Sequence, residues 1–368
     1  VDVMKCSVII PYYNRKELLM NTLIALEKQV GMDGLFEVLV IDDGSDIRLD
    51  DEIENKGFSI PIRYHYFERG AHSCPAFVRN RGIERSVGDL LVFIDCDIVV
   101  KPDFLLNHYN AYVTAKNKEI FQIGFRNSFL PSSITSIEEM IRTENYAQDL
   151  RRLIINRLSE NFQPMRFAWV LSYGCNISVS RELIERYGAF DEKILGWALE
   201  DTDIAYVMAK NGVKLVYNPC VEVYHQYHEF KERNFSEWLE NLDYLLCKHT
   251  SPDFQMMEYM KRLFEQDSLV RIMEDQGKKG NFGQDAYDNA YCDLVIKIDR
   301  CLRILQDSDA TFCSGHIVLR NPELKDLAKL INHQDDTQYT VVCEKGDLPL
   351  IVEIQTNPCY EKVLLYTY

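Results

Sequence analysis

Apolar runs and polar breaks alternate regularly through the first half of the chain. "KCSVIIPYY" is a nearly continuous apolar run of strand length, and "RKELLMNTLIALEKQ" then spaces its apolar residues three and four apart. These patterns predict a buried strand followed by an amphipathic helix. "FEVLVIDDGSD" predicts a second strand ending in a polar turn, "IPIRYHYFE" a third, "CPAFVRNRGIERSV" a helix and "DLLVFIDCDIVV" a fourth strand. Strand and helix alternating in this way predict an α/β fold, a mostly parallel sheet with helices on both faces. Ligands of such sheets bind beyond the carboxyl ends of the strands. Three polar clusters, "YYN", "DDGSD" and "DCD", fall there.

The stretch from about 104 to 170 has no clean period until "SSITSIEEMIRTENYAQDLRRLIINRL", which reads as helical with Ser133 or Ser136 as cap. "SYGCNISVSRELIERYGAFDE" predicts a strand, a serine-capped helix and a glycine stop. "ILGWALEDTDIAYVMAKNG" predicts a loop opening a helix that ends at Asn211-Gly212, and "VKLVYNPCVEVYHQYHE" two short strands, the second ending in histidines. Past 232 the character changes. Phe235, Trp238, Leu239, Leu242, Leu245 and Leu246 share one helical face. "MMEYMKRLFEQDSLVRIMED" and "DAYDNAYCDLVIKIDRCLRILQ" continue the helical pattern, and "QYTVVCE", "LPLIVEIQT" and "KVLLYTY" read as β, with a helical "PELKDLAKLI" before them. The expected organisation is a first domain over 1–232 and an appended region over 233–368, helices to 307 and a small α+β piece from 308. That region would serve acceptor binding or oligomerisation.

Bulk composition narrows the function. At 368 residues two structural units are expected. A formal charge of -16 argues against nucleic acid or an anionic membrane as the main partner. No apolar run is long enough for a transmembrane helix, and "VDVMKCSVIIPYYN" breaks into proline and asparagine too early for a signal peptide. Eleven cysteines, an odd number without a CxxC pair, fit buried free thiols in a reduced, cytoplasmic protein.

Asp95 and Asp97 then need a reason, because an unpaired carboxylate is costly at the end of a core strand. Two positions apart on an extended segment, they would point to one side. A tight turn, a solvated edge or a metal site would each account for them.

"SVIIPYYNR", "VLVIDDGSD", "FVRNRGI", "LLVFIDCDI", "GCNISVSRELIERYGAFDE", "GWALEDTDIAYVMAKNG" and "VYH" occur in that order. As an ordered set they resemble the GT-A-fold nucleotide-sugar glycosyltransferases, particularly the inverting family 2 type. The resemblance covers nearly two thirds of the chain, and residues 233 to 368 have no counterpart in it. It implies a Rossmann-like GT-A domain, a UDP-sugar donor and a divalent cation, Mn²⁺ or Mg²⁺. By the family pattern Asp97 touches the metal, Asp95 binds the ribose or sugar, and His225 adds an imidazole ligand. His228 is taken as a surface or acceptor-site residue. Pro11, Tyr12 and Tyr13 would meet the base, by stacking, and Asp42 would accept from the uracil N3–H. Arg79 would contact the phosphates, unless it is a surface helix arginine. Asp201 is the expected general base, Glu200 the residue that orients the acceptor and Trp197 its apolar platform, with Asp203 a first-turn decoration. A helix N-terminus would keep such carboxylates ionised. "GWALED" departs from the commoner glycine-rich loop, so Ala198 and Leu199 add bulk there.

The expectation is an inverting, metal-dependent transfer to a glycan, a natural product or a peptide side chain. An inactive scaffold that binds a partner and a nucleotidyltransferase are the alternatives. The latter would need a glycine-rich basic loop where this chain has "PYYNRKE". The β-rich end could also make a homodimer through open strand edges.

Overall fold

A computed structural model describes residues 4–115, 118–129, 136–142, 146–149, 151–152, 168–196, 198–228, 235–251, 253–255, 257–258, 316–320, 338–343 and 363–367. The chain divides into two compact units. The first comprises Val1–Arg152 and Ala168–Leu245, the second Leu153–Phe167 and Leu246–Tyr368.

The first unit is built on β1 (Cys6–Tyr12), α1 (Lys16–Glu27), β2 (Phe36–Asp42), α2 (Asp50–Lys56), β3 (Ile62–Tyr66), α3 (Pro75–Arg85), β4 (Leu90–Ile94) and β5 (Ile98–Val100). It continues with α4 (Phe104–Thr114), β6 (Ile120–Phe129), α5 (Ile137–Arg142), β7 (Tyr146–Ala147), a 3-10 turn at Ala168–Leu171, β8 (Asn176–Ser180), α6 (Arg181–Tyr187), α7 (Glu200–Lys210) and β9 (Lys214–His225). Helix α8 (Phe235–Lys248) follows. The nine-stranded sheet has the order β3-β2-β1-β4-β8-β6-β9-β5, with β7 paired to β6. Strands β1 to β4, β6 and β9 run one way, and β8, β5 and β7 are reversed. This is the mostly parallel α/β sheet the alternating pattern predicts.

The apolar runs become the central strands because they are covered on both faces. Ile9, Ile10, Val38, Val40, Val92 and Phe93 have no exposed surface. Gly82 lets α3 lie against β1, since a Cβ there would fall 2.3 Å from Ile9 Cγ2. Capping follows the sequence signals. Cys74 Sγ accepts from Phe77 N–H, Ser136 Oγ from Glu139 N–H and Ser180 Oγ from Leu183 N–H. Ser133 lies outside the described residues.

Several elements differ from expectation. The fourth apolar run is two strands, because the chain turns at Asp95–Asp97 and β5 joins the far edge of the sheet. Strand β9 is continuous where two strands were expected. Asn218–Val221 are looped out as β6 shifts register from Ile123↔Tyr217 to Phe125↔Glu222. Helix α4 and strand β6 occupy the stretch that showed no clean period. Among the described residues of the expected helix after it, Ile137–Arg142 and Arg151–Arg152 are helical, and Tyr146–Ala147 pairs with β6. The first unit extends to Leu245, with Trp238, Leu242 and Leu245 of α8 buried.

In the second unit β10 (His316–Arg320), β11 (Gln338–Cys343) and β12 (Val363–Thr367) form a parallel sheet in that order. The helical patterns expected over 259–307 and in "PELKDLAKLI", and the β pattern "LPLIVEIQT", lie outside the described residues. Among the described residues no helix is long and apolar enough to cross a membrane.

Candidate active site

Strands β1, β2, β4 and β9 end at one edge of the sheet, and reversed β8 begins there. That edge gathers Tyr12–Arg15, Asp42–Asp46, Asp95–Asp97, Gly174 and His225–His228. Helix packing fixes it. Thr22 Oγ1 on α1 donates to the Cys96 carbonyl at 2.9 Å, and Gln226 N–H donates to the Asp97 carbonyl at 2.8 Å. Gln226 is itself held by α1, accepting from Asn21 Nδ2 and donating to the Leu18 carbonyl. The DCD segment is therefore a turn, closed by Ile98 N–H on the Asp95 carbonyl at 3.3 Å, and not the extended segment expected. Chain reversal brings the two carboxylates together where alternation was expected to.

Asp97 is nearly buried. Its Oδ2 lies 3.5 Å from His225 Nε2 and 3.2 Å from His228 Nε2. The ligand atoms of the three residues fall within 4.8 Å of one another. His228, expected at the surface or in the acceptor site, thus lies in this cluster, because the chain past β9 turns back over Asp97. Burial opposes the Asp97 charge, yet the adjacent His225 imidazole and the Arg15 guanidinium hold its carboxyl well below the usual range. Arg15 Nη1 donates to Asp97 Oδ2 at 2.8 Å and to His228 Nε2 at 2.7 Å.

These residues fit a divalent cation. Asp97 Oδ1 is buried with no hydrogen-bond partner. One carboxylate with two imidazoles suits a first-row transition ion better than Mg²⁺, which prefers oxygen. A spacing of 3.2 Å is that of adjacent ligands on one ion with bonds of about 2.0–2.3 Å.

Arg79, expected to contact the phosphates, is buried. Its side chain is 5% exposed, donating from Nη1 to Glu200 Oε1 at 2.6 Å and from Nη2 to Asp95 Oδ1 at 3.1 Å. It is a buried strut between the DCD turn and the start of α7. A residue in α3, packed tightly on the sheet, cannot present its charge to solvent here. Gly174 makes room for it, since a Cβ there would lie 2.6 Å from Arg79 Nη2.

Gly174 also donates its N–H to Asp201 Oδ2 at 2.8 Å, and Thr202 N–H donates to Oδ1 at 2.8 Å. Despite these bonds the Asp201 carboxyl is raised and not held low by the helix start. Burial and the neighbouring Glu200 charge push its carboxyl up to about 7, outweighing the Gly174 N–H and Arg79. Asp203 is wholly buried, which a first-turn decoration would not be. Ala198 and Leu199 have φ of 76° and 79°, left-handed conformations that side chains disfavour. Asn241 on α8 braces this loop, donating from Nδ2 to the Leu195 and Ala198 carbonyls at 2.8 and 3.1 Å. Trp197 lies outside the described residues.

The base-binding candidates are mixed. Asp42 is wholly buried, its carboxylate accepting from Ser45 N–H at 2.8 Å and from the Tyr64 hydroxyl. It therefore shapes the loop from inside and does not face open space as expected for a uracil contact. Pro11 is partly buried and Tyr12 almost wholly so, whereas the Tyr13 ring is exposed. The Arg69 guanidinium lies over Tyr13, 4.0 Å from the ring centroid.

Arg15, His228, Gly174 and Asn241 carry roles that pattern reading missed. Arg15 alone had a readable signal, a cation at the N-cap of a helix, where the dipole disfavours positive charge.

A strand-end carboxylate beside two imidazoles thus lies at the edge of the sheet where α/β enzymes bind their ligands. The family described as "Glycosyltransferase like family 2" matches residues 7–268, and the chain belongs to it. Validoxylamine A glucosyltransferase of Streptomyces hygroscopicus subsp. limoneus is 28% identical over 310 residues, 80% of this chain and 67% of that enzyme. Chondroitin synthase of Pasteurella multocida (strain Pm70) is 26% identical over 328 residues, 80% of this chain but 32% of that protein. The crystal structure of GalNAc-T7 with UDP, GalNAc and Mn²⁺ aligns with a TM-score of 0.49 at 17% identity, over 66% of this chain and 48% of that one.

Proposed function

We propose that the protein transfers a sugar from a UDP-sugar to an acceptor hydroxyl with inversion at the anomeric carbon. The observation that carries this reading is the Arg79 strut. It ties Asp95, on the candidate donor side, to Glu200, the neighbour of Asp201. Donor and acceptor carboxylates are thereby held on two sides of one buried cation. Asp201 accepts the acceptor proton as the new C–O bond forms, the anomeric C–O bond to the diphosphate breaks, and UDP leaves with that electron pair. Glu200 and the braced loop before α7 set the acceptor's orientation. Asp97, His225 and His228 would hold a divalent cation, Mn²⁺ by the donor set, which neutralises charge on the diphosphate. Asp95 remains the candidate for the ribose or sugar, and Pro11 and Tyr13 for the base.

Relatives point in two directions for the acceptor, a small natural product in validoxylamine A glucosyltransferase and a glycan in chondroitin synthase. The loop bulk of Ala198 and Leu199 favours the smaller. Cys6, Cys74, Cys96, Cys175, Cys220 and Cys247 are free thiols, the last two exposed, which supports a reducing, cytoplasmic setting.

The test is a panel of nucleotide sugars incubated with Mn²⁺, following UDP release and the anomeric configuration of the product by NMR. UDP release from one donor, lost with chelator and in Asp201→Asn, is the expected result. No release from any donor, with no UDP-induced thermal shift, overturns the reading.

A further inference from the structure

We infer that Arg15 is an internal counter-cation of the metal site. It holds Asp97 and His228 in register before the ion arrives and must be displaced for it to bind. The inference rests on the proposed metal-dependent reading and deepens it.

Three observations carry it. First, Arg15 Nη1 contacts both Asp97 Oδ2 and His228 Nε2, two of the three ligand atoms. A guanidinium only donates, so Arg15 occupies the same two atoms that a metal ion would take. Second, the fit is poor for a guanidinium. Contacts of 2.8 and 2.7 Å to atoms 3.2 Å apart give an angle of roughly 70° at Nη1, whereas its two hydrogens diverge by about 120°. The bonds are therefore bent and readily given up. Third, Arg15 is the N-cap residue of α1 but makes no side-chain cap bond, and its positive charge opposes the dipole there. Helix stability does not explain the residue, whereas its reach to Asp97 does. The side chain is 36% exposed, so it has room to swing aside.

Once displaced, the guanidinium needs an anion, and a nucleoside diphosphate arriving at the same edge supplies one. Metal and diphosphate then bind cooperatively, each strengthening the other by the same factor. The metal alone binds weakly because it must evict a cation that has no new partner.

Calorimetric titration of Mn²⁺ into the full chain, with and without saturating UDP, tests this for wild type, Arg15→Gln and Arg15→Lys. Without UDP, Arg15→Gln should bind Mn²⁺ about tenfold or more tightly than wild type, and Arg15→Lys, which keeps the charge, should stay close to wild type. UDP should tighten Mn²⁺ binding more in wild type than in Arg15→Gln. A purely structural role for Arg15 would weaken metal binding in both variants. Equal or weaker Mn²⁺ affinity in Arg15→Gln overturns the inference and leaves the metal reading standing. Absence of Mn²⁺ binding in all three proteins, with and without UDP, overturns the metal reading and this inference with it.

Discussion

Replacing Arg79 by Met removes the cation between Glu200 and Asp95 while keeping most of the side-chain volume. At about 3 Å each ion pair is worth roughly 5 kcal/mol of Coulomb attraction with an effective dielectric near 20. Most of that is already offset by the cost of burying the charges. The net effect of removing one partner of a buried pair is about 3–5 kcal/mol. The Glu200 side chain is only 8% exposed and dominates this loss, whereas Asp95, 39% exposed, is rescued by water. Arg79→Met should therefore lower unfolding stability by about 3 kcal/mol in urea titrations. The double variant Arg79→Met/Glu200→Gln should recover a large part of it, because the orphaned charge is gone. Arg79 also lowers the Asp201 proton affinity, so the acid limb of the Arg79→Met pH–rate profile should move to higher pH. A loss under about 1 kcal/mol, or no recovery in the double variant, would refute the strut as the link between the two loops.

Four further outcomes follow from the same geometry. With its carboxyl raised to about 7, Asp201 is half ionised near neutrality, so kcat/KM should fall about tenfold per pH unit below 7. The raised value means that folding favours the protonated form. This contribution to stability is complete below the ordinary carboxylate range near 3.8 and is lost as pH rises through about 7. Thermal melts should accordingly show Asp201→Asn more stable than wild type at pH 8 and no more stable at pH 4. His228→Ala should weaken Mn²⁺ binding by about tenfold or more in direct titration, and unchanged affinity would return His228 to the acceptor side. Ala198→Gly removes a left-handed alanine worth about 1–2 kcal/mol of strain and adds about 0.5–1 kcal/mol of unfolded-state entropy. The net gain of about 0.5 kcal/mol should appear in the urea midpoint, and a loss of stability would show that the loop depends on the methyl group.

Much of this was legible along the chain. The order of the strands to β4, helices α1 and α3, the serine caps at Ser136 and Ser180, and the clusters "YYN", "DDGSD" and "DCD" at one edge follow from local periodicity and turn chemistry, whereas the short helix α2 was not read. Periodicity and turn chemistry are properties of neighbouring residues. Strand β6 was not legible, because "IFQIGFRNSF" is buried on both sides and has no alternation to read. Nor was the turn at Asp95–Asp97, where an apolar run continues across a change of direction.

What tertiary structure alone decided is which charges meet. Arg79 and Glu200 are 121 residues apart and Arg15 and His228 are 213 apart, and no spacing rule connects either pair. Their meeting depends on how α3, α7 and β9 end at the same edge of the sheet. Packing buries Arg79, expected at the phosphates, between Asp95 and Glu200, and sets His228, expected at the surface or in the acceptor site, beside Asp97. Local sequence determines which residues can carry charge at a strand end. The low dielectric between packed elements then determines which of those charges must be paired, and with what.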